Sequence, residues 1–154
     1  MTETVLNTAL AVAEACADAA RRTVIPHFRT SLQADAKSDD SPVTVADRAA
    51  EKVMWTILEE ALPDHAILGE ESGMSGHASD WRWALDPIDG QRAFLTRRPT
   101  CCPLIAPFQQ SRPVLGPIDH PLTGDSWLRC GGQETRIVAH RRPGEIDTHL
   151  CPAV

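Results

Sequence analysis

Five acidic residues lie where apolar segments of this sequence stop or start. Glu70 and Glu71 close the stretch HAILGEES, Asp86 and Asp89 close WALDPID, and Asp47 stands at the start of an apolar-periodic run. A carboxylate at the end of a buried strand needs an ion pair or a metal, because an unpaired buried charge is costly. These positions are therefore the first candidates for a functional site.

The pentapeptide DPIDG, residues 86–90, has a backbone suited to gathering oxygen atoms. Pro87 fixes its own φ and favours an extended conformation for Asp86. Gly90 permits a tight turn directly after Asp89. We expect the chain to curl here, so that both carboxylates face one point.

The oxygen atoms expected at that point favour a metal ion. They come from the carboxylates of Asp86 and Asp89, the backbone carbonyl of Ile88, and Glu70 from the neighbouring strand. Hard divalent cations such as Mg²⁺ prefer oxygen ligands, and shared carboxylates suit a two-metal site. Each stretch taken alone is also compatible with a solvated turn or a helix-start carboxylate. The conjunction of the three favours the metal.

Two amphipathic helices are expected to position these groups. The first has apolar residues every three or four positions and should end or kink at Pro26. The second should begin near Thr44, with Asp47 in its first turn, and stop before Pro63. The segment QADAKSDDSPV between them is expected to be a loop or a strand edge. The apolar stripes are Leu6, Leu10, Ala13, Ala17, Ala20 and Val24 in the first helix, and Ala46, Ala49, Ala50, Val53, Met54, Ile57 and Leu58 in the second.

Strand-like segments follow the helices. HAILGEES and WRWALD are separated by the small-residue loop GMSGHASD, and then come CCPLIAPF, RPVLGPID, DSWLRC and ETRIVAH, punctuated by proline and glycine. Two helices followed by a run of strands predict an α+β fold, with two long helices packed on a mostly antiparallel sheet. We expect residues 1–154 to form one domain. Pro103 and Pro107 are unusual for a central strand.

Composition excludes several functional classes. The chain has 154 residues, 42% of them hydrophobic, and a formal net charge of −6, with no basic stripe for nucleic acid. No segment approaches the ~18 consecutive apolar residues of a membrane span, and the start lacks the features of a signal peptide. Five cysteines without framework spacing predict reduced thiols in a cytoplasmic protein. Metal ligation by the adjacent Cys101 and Cys102 is the alternative.

The three acidic stretches together resemble the inositol monophosphatase family of Mg²⁺-dependent phosphatases. The resemblance rests on SPVTVAD (41–47), GEES (69–72) and WALDPIDG (83–90), in the order and spacing of that family. SPVTVADRAAE and DGQRAFLTRRPT are most similar to the bacterial histidinol-phosphatase branch. The resemblance runs from the first helix to about residue 130 and more faintly beyond. It implies the N-terminal half of the layered α/β/α/β/α sugar-phosphatase fold.

The resemblance also implies a metal site. Glu70, Asp86 and the carbonyl of Ile88 would hold a first Mg²⁺, and Asp86 and Asp89 would contribute to a second. Lys37 occupies a position where the family often has a basic residue near the metals. Metal ions of this kind neutralise charge in phosphoryl transfer, so that no protein nucleophile is needed.

The implied catalytic and substrate groups lie at the same place. Asp47, Glu70 and Gln91 are the catalytic candidates, with Asp47 positioning and activating the attacking water. Asp89, Gly90, Gln91 and Arg92 are the substrate-binding candidates, the backbone amides after Gly90 meeting the phosphate. Arg97 and Arg98 are either further anion contacts or solvated loop residues.

Two departures from the family pattern bear on activity. The family usually has threonine at the position of Gln91, where a hydroxyl helps to orient the water; the longer amide of Gln91 places its donor and acceptor elsewhere. The family also has a second half, with a Trp-Asp motif whose aspartate completes the second metal site. These 154 residues contain no counterpart of that motif.

The expected function is Mg²⁺-dependent hydrolysis of a small phosphomonoester, histidinol phosphate first, with a rate reduced by both departures. The alternative is a truncated, non-catalytic remnant that binds a metal or a partner. A homodimer, in which another copy supplies the missing ligand, is a third expectation.

Overall fold

The computed structural model describes residues 2–36, 42–75, 78–130, 135–142 and 145–151. Three α-helices lie in these segments: α1 (Glu3–Val24), α2 (Val45–Ala61) and the short α3 (Gln91–Leu95). A single 3₁₀ turn, Ile25–His27, follows α1 and contains Pro26, as the helix-breaking action of proline predicts. Both long helices were predicted, and both end within two residues of the predicted positions.

Eleven β-strands are formed by the described residues. The first two pair only with each other, as an antiparallel hairpin, and the other nine make one sheet. In chain order the strands are β1 (Ala34–Ala36), β2 (Pro42–Thr44), β3 (Ala66–Gly69), β4 (Gly73–Met74), β5 (Trp81–Asp89), β6 (Cys102–Gln109), β7 (Arg112–Pro113), β8 (Leu115–His120), β9 (Asp125–Cys130), β10 (Thr135–Arg142) and β11 (Glu145–Cys151).

The large sheet is antiparallel except at one place. Its strand order is β11-β10-β9-β8-β6-β5-β3-β4, and β7 pairs with the free part of β6. Within the described strands, only β3 and β5 run parallel. This arrangement confirms the predicted mostly antiparallel sheet, and the parallel pair matters for the site because its two strands end at the same edge.

The helices pack on one face of the sheet. α1 contacts α2, β6 and β8, while α2 contacts β3 and β5. Small residues on the buried stripes, such as Ala13, Ala20, Ala46 and Ala50, allow the two helices to approach closely, and each is completely buried. Trp83 and Leu85 of β5 project into the same core. The predicted α+β class, with two long helices on a sheet, is confirmed.

The opposite face of the sheet carries exposed apolar side chains. Leu68, Met74 and Ile118 are 39%, 65% and 41% exposed. Leu68 and Ile118 alternate along their strands with buried residues, as the period-two geometry of a strand requires, and Met74 pairs with Leu68. No helix among the described residues is both long enough and apolar enough to cross a membrane.

Two short elements were not predicted. The residues directly after Gly90, for which no element was expected, form α3, and the expected loop GMSGHASD contains the two-residue strand β4. QADAKSDDSPV was expected to be a loop or a strand edge, and it contributes β1 and most of β2. These elements are too short for a hydrophobic period to reveal them, so pairing with neighbours decides them.

Candidate functional site

The parallel pair β3–β5 places Glu70 beside Asp86. Gly69 at the end of β3 lies in register with Leu85 of β5, and the backbone N–H of Glu70 donates to the Leu85 carbonyl at 3.0 Å. Both strands run in the same direction, so the residues that follow them emerge at one edge of the sheet. The expectation that Glu70 comes from a neighbouring strand agrees with this geometry.

A β-bulge in β5 turns Asp86 and Asp89 to the same side. Asp86 pairs with Leu104 and Asp89 pairs with Cys102, so β5 has one residue more than β6 between the two pairs. Residues three apart in a regular strand point to opposite faces of the sheet. The extra residue of the bulge shifts the alternation by one, so Asp86 and Asp89 point to the same face. Pro87 and Ile88 are the residues within the bulge, and both are buried.

Pro103 of β6 lies opposite this bulge, between the two paired positions. Proline removes a ladder donor and is tolerated in sheets mainly at edges and bulges. The interruption of the ladder explains why a proline that is unusual for a central strand is found here.

Three carboxylates meet at this edge. Burial is the largest cause that raises the pKa of Asp86, to about 8; a side-chain hydrogen bond with Glu70 and the negative charges of Glu70 and Asp89 raise it further. The N–H of Ile88 donates to Asp86 Oδ1 at 3.1 Å, and this hydrogen bond lowers the pKa of Asp86. Asp86 is half-buried, whereas Glu70 and Asp89 are exposed. Negative charge is therefore concentrated at one point.

This cluster does not have the geometry of a metal coordination shell. Among the described residues, no three histidine, cysteine or acidic side chains are arranged to hold one metal ion. Asp86 and Glu70 share a hydrogen bond instead. The donors are nevertheless all oxygen atoms, which is the chemistry that Mg²⁺ requires.

Gly90 begins α3 in a conformation that other residues adopt with strain. Its φ is 88°, in the left-handed region, and a Cβ placed on it would lie 2.7 Å from the Thr100 carbonyl oxygen. Both constraints select glycine at this position. The turn places α3 directly after Asp89, and the first amides of the helix have no partner within it.

Gln91 reaches toward Glu71. Its Nε2 donates to Glu71 Oε1 at 3.5 Å, a long contact. The side chain thus joins α3 to the turn after β3. This contact was not predicted, and it directs the amide to an acidic candidate of the GEES stretch that had no specific role.

Asp47 is held by the residue that caps its helix. Thr44 donates twice to Asp47 Oδ2, from its backbone N–H at 2.8 Å and its hydroxyl at 2.6 Å, while its own hydroxyl accepts from Ala46. This is a capping box, and it explains why α2 begins at Val45. Asp47 is completely buried, and its Oδ1 has no hydrogen-bond partner in the described structure.

Cys101 connects Asp47 with the turn at Gly90. The Asp47 carboxylate contributes to raising the pKa of the Cys101 thiol, after burial, to about 11, and Cys101 lies beside the Cβ position of Gly90. Burial also raises the pKa of Cys102 to about 11. Both thiols are free and buried.

Glu51 is a functional candidate that sequence reasoning missed. It lies one helical turn after Asp47, is 1% exposed, and accepts hydrogen bonds from the amides of Glu71 and Ser72. The signal available in the sequence was a charged residue within the apolar stripe of α2, between Ala50 and Met54. A buried carboxylate at such a position indicates a specific partner.

The structure thus gathers Glu70, Asp86 and Asp89 at one edge of the sheet, followed directly by Gly90 and Gln91. Asp47 approaches the same corner from α2 through Cys101. Arg92 is exposed on α3, and so are Arg97 and Arg98 just beyond it. Lys37 and Ser41 lie outside the described residues.

The chain is similar to known proteins along most of its length. A model of the inositol monophosphatase family matches residues 3–147. The bifunctional phosphatase IMPL2, chloroplastic, of Arabidopsis thaliana is 38% identical over 99% of this chain, which covers 43% of that protein. A histidinol-phosphatase of Streptomyces coelicolor is 34% identical over 77% of this chain and 46% of its own length.

Solved structures give the same result. An inositol monophosphatase from Zymomonas mobilis aligns with 89% of this chain at a TM-score of 0.72 and 37% identity, and 52% of that protein is covered. The chain therefore spans about half the length of the relatives it matches. A family match over nearly all of its residues, together with the shared fold, shows that this chain belongs to the inositol monophosphatase family.

Proposed function

We propose that this chain binds Mg²⁺ and hydrolyses a small phosphomonoester, with histidinol phosphate as the first candidate substrate. The observation that carries the proposal is the bulge in β5, which places Asp86 and Asp89 on one side next to Glu70. A structural strand end does not need three carboxylates near one another, because their repulsion is destabilising.

The oxygen atoms of these residues are suitable ligands for a divalent cation. Glu70, Asp86 and the Ile88 carbonyl would hold one Mg²⁺, and Asp86 and Asp89 would contribute to a second. When bound, the metal would neutralise the charge that develops on a phosphoryl group. Asp47 Oδ1 supports the same proposal. It is a buried acceptor without a partner in the described structure, and such an acceptor is usually satisfied by a donor, here one from outside the protein chain.

Asp47 supplies the proton acceptor for an attacking water. Thr44 occupies Oδ2 with two hydrogen bonds and thereby fixes the carboxylate plane, so that Oδ1 remains to accept from a water molecule. A positioned carboxylate of this kind orients the water and can receive its proton. Gly90, with the first amides of α3 at Gln91 and Arg92, would face the phosphate oxygens.

The substrate assignment rests on the relatives. The Streptomyces coelicolor protein is a histidinol-phosphatase, and the Zymomonas mobilis protein is an inositol monophosphatase. The match covers 46% and 52% of those two proteins, so the groups that distinguish the two alcohols in them need not lie within the shared part. Histidinol phosphate and inositol 1-phosphate are therefore the two esters to compare.

Phosphate release from each ester, with Mg²⁺ or with EDTA, tests the proposal. We expect Mg²⁺-dependent release that is lost in Asp86→Asn and retained in Asp18→Asn, which removes an exposed carboxylate of α1. Calorimetry of the same three proteins should show Mg²⁺ binding lost only in the first variant. Equal release with EDTA and with Mg²⁺, or none from either ester, would contradict the proposed activity.

A second candidate function is metal binding without turnover. The observation in its favour is Gln91, whose amide contacts Glu71 instead of supplying a hydroxyl beside Asp47. This candidate predicts Mg²⁺ binding by calorimetry in a chain that releases no phosphate. The same experiment therefore separates the two functions.

A further inference from the structure

Glu51 is a buried carboxylate whose two oxygens each accept a backbone N–H. Its Oε2 accepts the N–H of Glu71 at 2.8 Å, and its Oε1 accepts the N–H of Ser72 at 2.7 Å. Hydrogen bonds to a charged acceptor are about twice as strong as neutral ones. Two of them on a residue that is 1% exposed show that burial of this charge is compensated by one turn of the chain, residues 69–72.

The backbone of that turn approaches the carboxylate very closely. A Cβ on Gly69 would lie 2.6 Å from Glu51 Cδ and 2.6 Å from Glu51 Oε1. Gly69 does not have a positive φ here, so its role is to leave space for the carboxylate. Gly69 and Glu51 therefore form one contact between α2 and the end of β3.

The turn held by Glu51 carries Glu70. On one side of Glu70, its own N–H donates to the Leu85 carbonyl at 3.0 Å, which connects it to β5. On the other side, the next two amides donate to Glu51. The backbone of Glu70 is thus fixed before and after its side chain, which in turn hydrogen-bonds to Asp86. Glu71, the first residue bound by Glu51, also accepts from Gln91 on α3.

We propose that Glu51 is a positioning residue for the metal site: it holds the 69–72 turn so that Glu70 stays beside Asp86, and it thereby sets the affinity for the divalent cation. Glu51 contacts neither the metal nor the substrate in this role. The inference deepens the proposed function and depends on its metal site, but it does not depend on turnover.

Glu51→Gln is the direct test, because it retains the size of the side chain but replaces one acceptor oxygen by a donor that faces an N–H. We expect the Mg²⁺ affinity measured by calorimetry to fall about 10- to 100-fold, the range found when groups that orient metal ligands are removed. Hydrogen exchange of the Glu71 and Ser72 amides, followed by NMR, should accelerate. Glu60→Gln, an exposed position of the same helix, should change neither measurement.

A second variant keeps the proposal testable if Glu51→Gln does not fold. Gly69→Ala keeps the carboxylate but displaces it by steric overlap, and it should weaken Mg²⁺ binding in the same direction. A merely structural role would lower the melting temperature of both variants and leave the Mg²⁺ affinity of the folded fraction at the wild-type value. That result would overturn the proposal.

The outcomes separate this inference from the phosphatase activity. If the wild type binds Mg²⁺ and Glu51→Gln binds it more weakly, the positioning role stands even when no ester is hydrolysed. If the wild type binds neither Mg²⁺ nor Mn²⁺, the metal site fails, and the positioning role fails with it.

Discussion

Thr44 and Asp47 hold each other at the start of α2, with the backbone N–H and the hydroxyl of Thr44 both donating to one oxygen of Asp47. The consequence is an asymmetric carboxylate, in which Oδ2 is saturated and Oδ1 is buried without a partner in the described structure. The same pair therefore lies where β2 ends and α2 begins, and in the proposed function Oδ1 is the acceptor for a water molecule.

Replacing Asp47 by asparagine should abolish that acceptor. We expect kcat for phosphate release to fall by about 10²- to 10⁴-fold, the range for loss of a positioned acid or base. Mg²⁺ affinity should remain within a few-fold of wild type, because Asp47 is not among the proposed ligands. Steady-state kinetics and calorimetry measure the two effects, with Asp18→Asn as the control. A fully active Asp47→Asn chain would refute the assignment.

Replacing Gln91 by threonine should raise activity. The Gln91 amide contacts Glu71, whereas a short hydroxyl would remain near the start of α3. Misplacement of a reacting group can reduce a rate by about 10²-fold, so a gain of that order is the upper expectation. Gln91→Ala is the matched control, since it removes the amide without adding a hydroxyl. If threonine is no faster than alanine, the non-catalytic candidate gains support.

Gly90→Ala and Gly73→Ala separate backbone strain from crowding. Both glycines have a positive φ, 88° and 74°, but a Cβ would meet the Thr100 carbonyl only at Gly90, whereas Gly73 has open space. The left-handed conformation costs about 1–2 kcal/mol for other residues. Gly90→Ala should therefore lose more stability than Gly73→Ala in urea unfolding, by about 1–3 kcal/mol for overpacking. Equal losses would show that the turn relaxes.

Asp119 and Asp35 offer a comparison of a buried and an exposed ion pair. Asp119 is paired with Arg21 of α1 and accepts from Ser126, and its side chain is 4% exposed. Asp35 pairs with Arg48 at 2.8 Å, with side chains 68% and 55% exposed.

Removing one partner of a buried pair leaves an uncompensated charge, so Asp119→Ala should lose about 3–5 kcal/mol in the free energy of unfolding. Asp35→Ala should lose less than about 1 kcal/mol. Urea denaturation of both variants measures the difference. Comparable losses would mean that the Arg21 pair does not hold α1 to β8.

His65 should make the stability depend on pH. Burial lowers its pKa, against the opposing charge of Asp64, and its Nδ1 accepts the indole N–H of Trp83 at 3.0 Å. A histidine whose folded pKa lies below the unfolded value of about 6.5 binds fewer protons when folded. Its contribution is complete above about pH 7.5 and declines as the pH falls through 6.5.

The corresponding measurement is urea unfolding at pH 7.5 and pH 5.5. The wild type should lose more stability between these values than His65→Gln, which lacks the titrating imidazole. The pKa shifts of all other groups are common to the two proteins and cancel in the comparison. An equal loss in the two proteins would contradict the lowered pKa.

The long elements could be predicted because their periodicity is strong. The stripes of α1 and α2 recur over 22 and 17 residues, and Pro26 and Pro63 limit them. Glu70 could be placed beside Asp86 because two apolar segments ended in acidic residues. The family resemblance then supplied roles that the residues alone left open.

Other parts depended on contacts between distant segments. The burial of Glu51 is decided by amides some 20 residues later, which no local pattern contains. α3 has five residues and is stabilised by its position after Gly90 and not by an apolar stripe. The direction of the Gln91 amide likewise follows from Glu71, which comes from a different turn of the chain.

The extra residue in β5 also changes the phase of the whole strand. Before the bulge, even-numbered positions such as Arg82 and Ala84 face away from the helices; after it, an odd-numbered position, Asp89, does so. A pattern search with constant period would assign Asp89 to the buried face. Charged substitutions along β5 should thus be tolerated at even-numbered positions before Pro87 and Ile88 and at odd-numbered positions after them. Measuring the stability of a series of charged single variants along this strand would locate the change without any ligand.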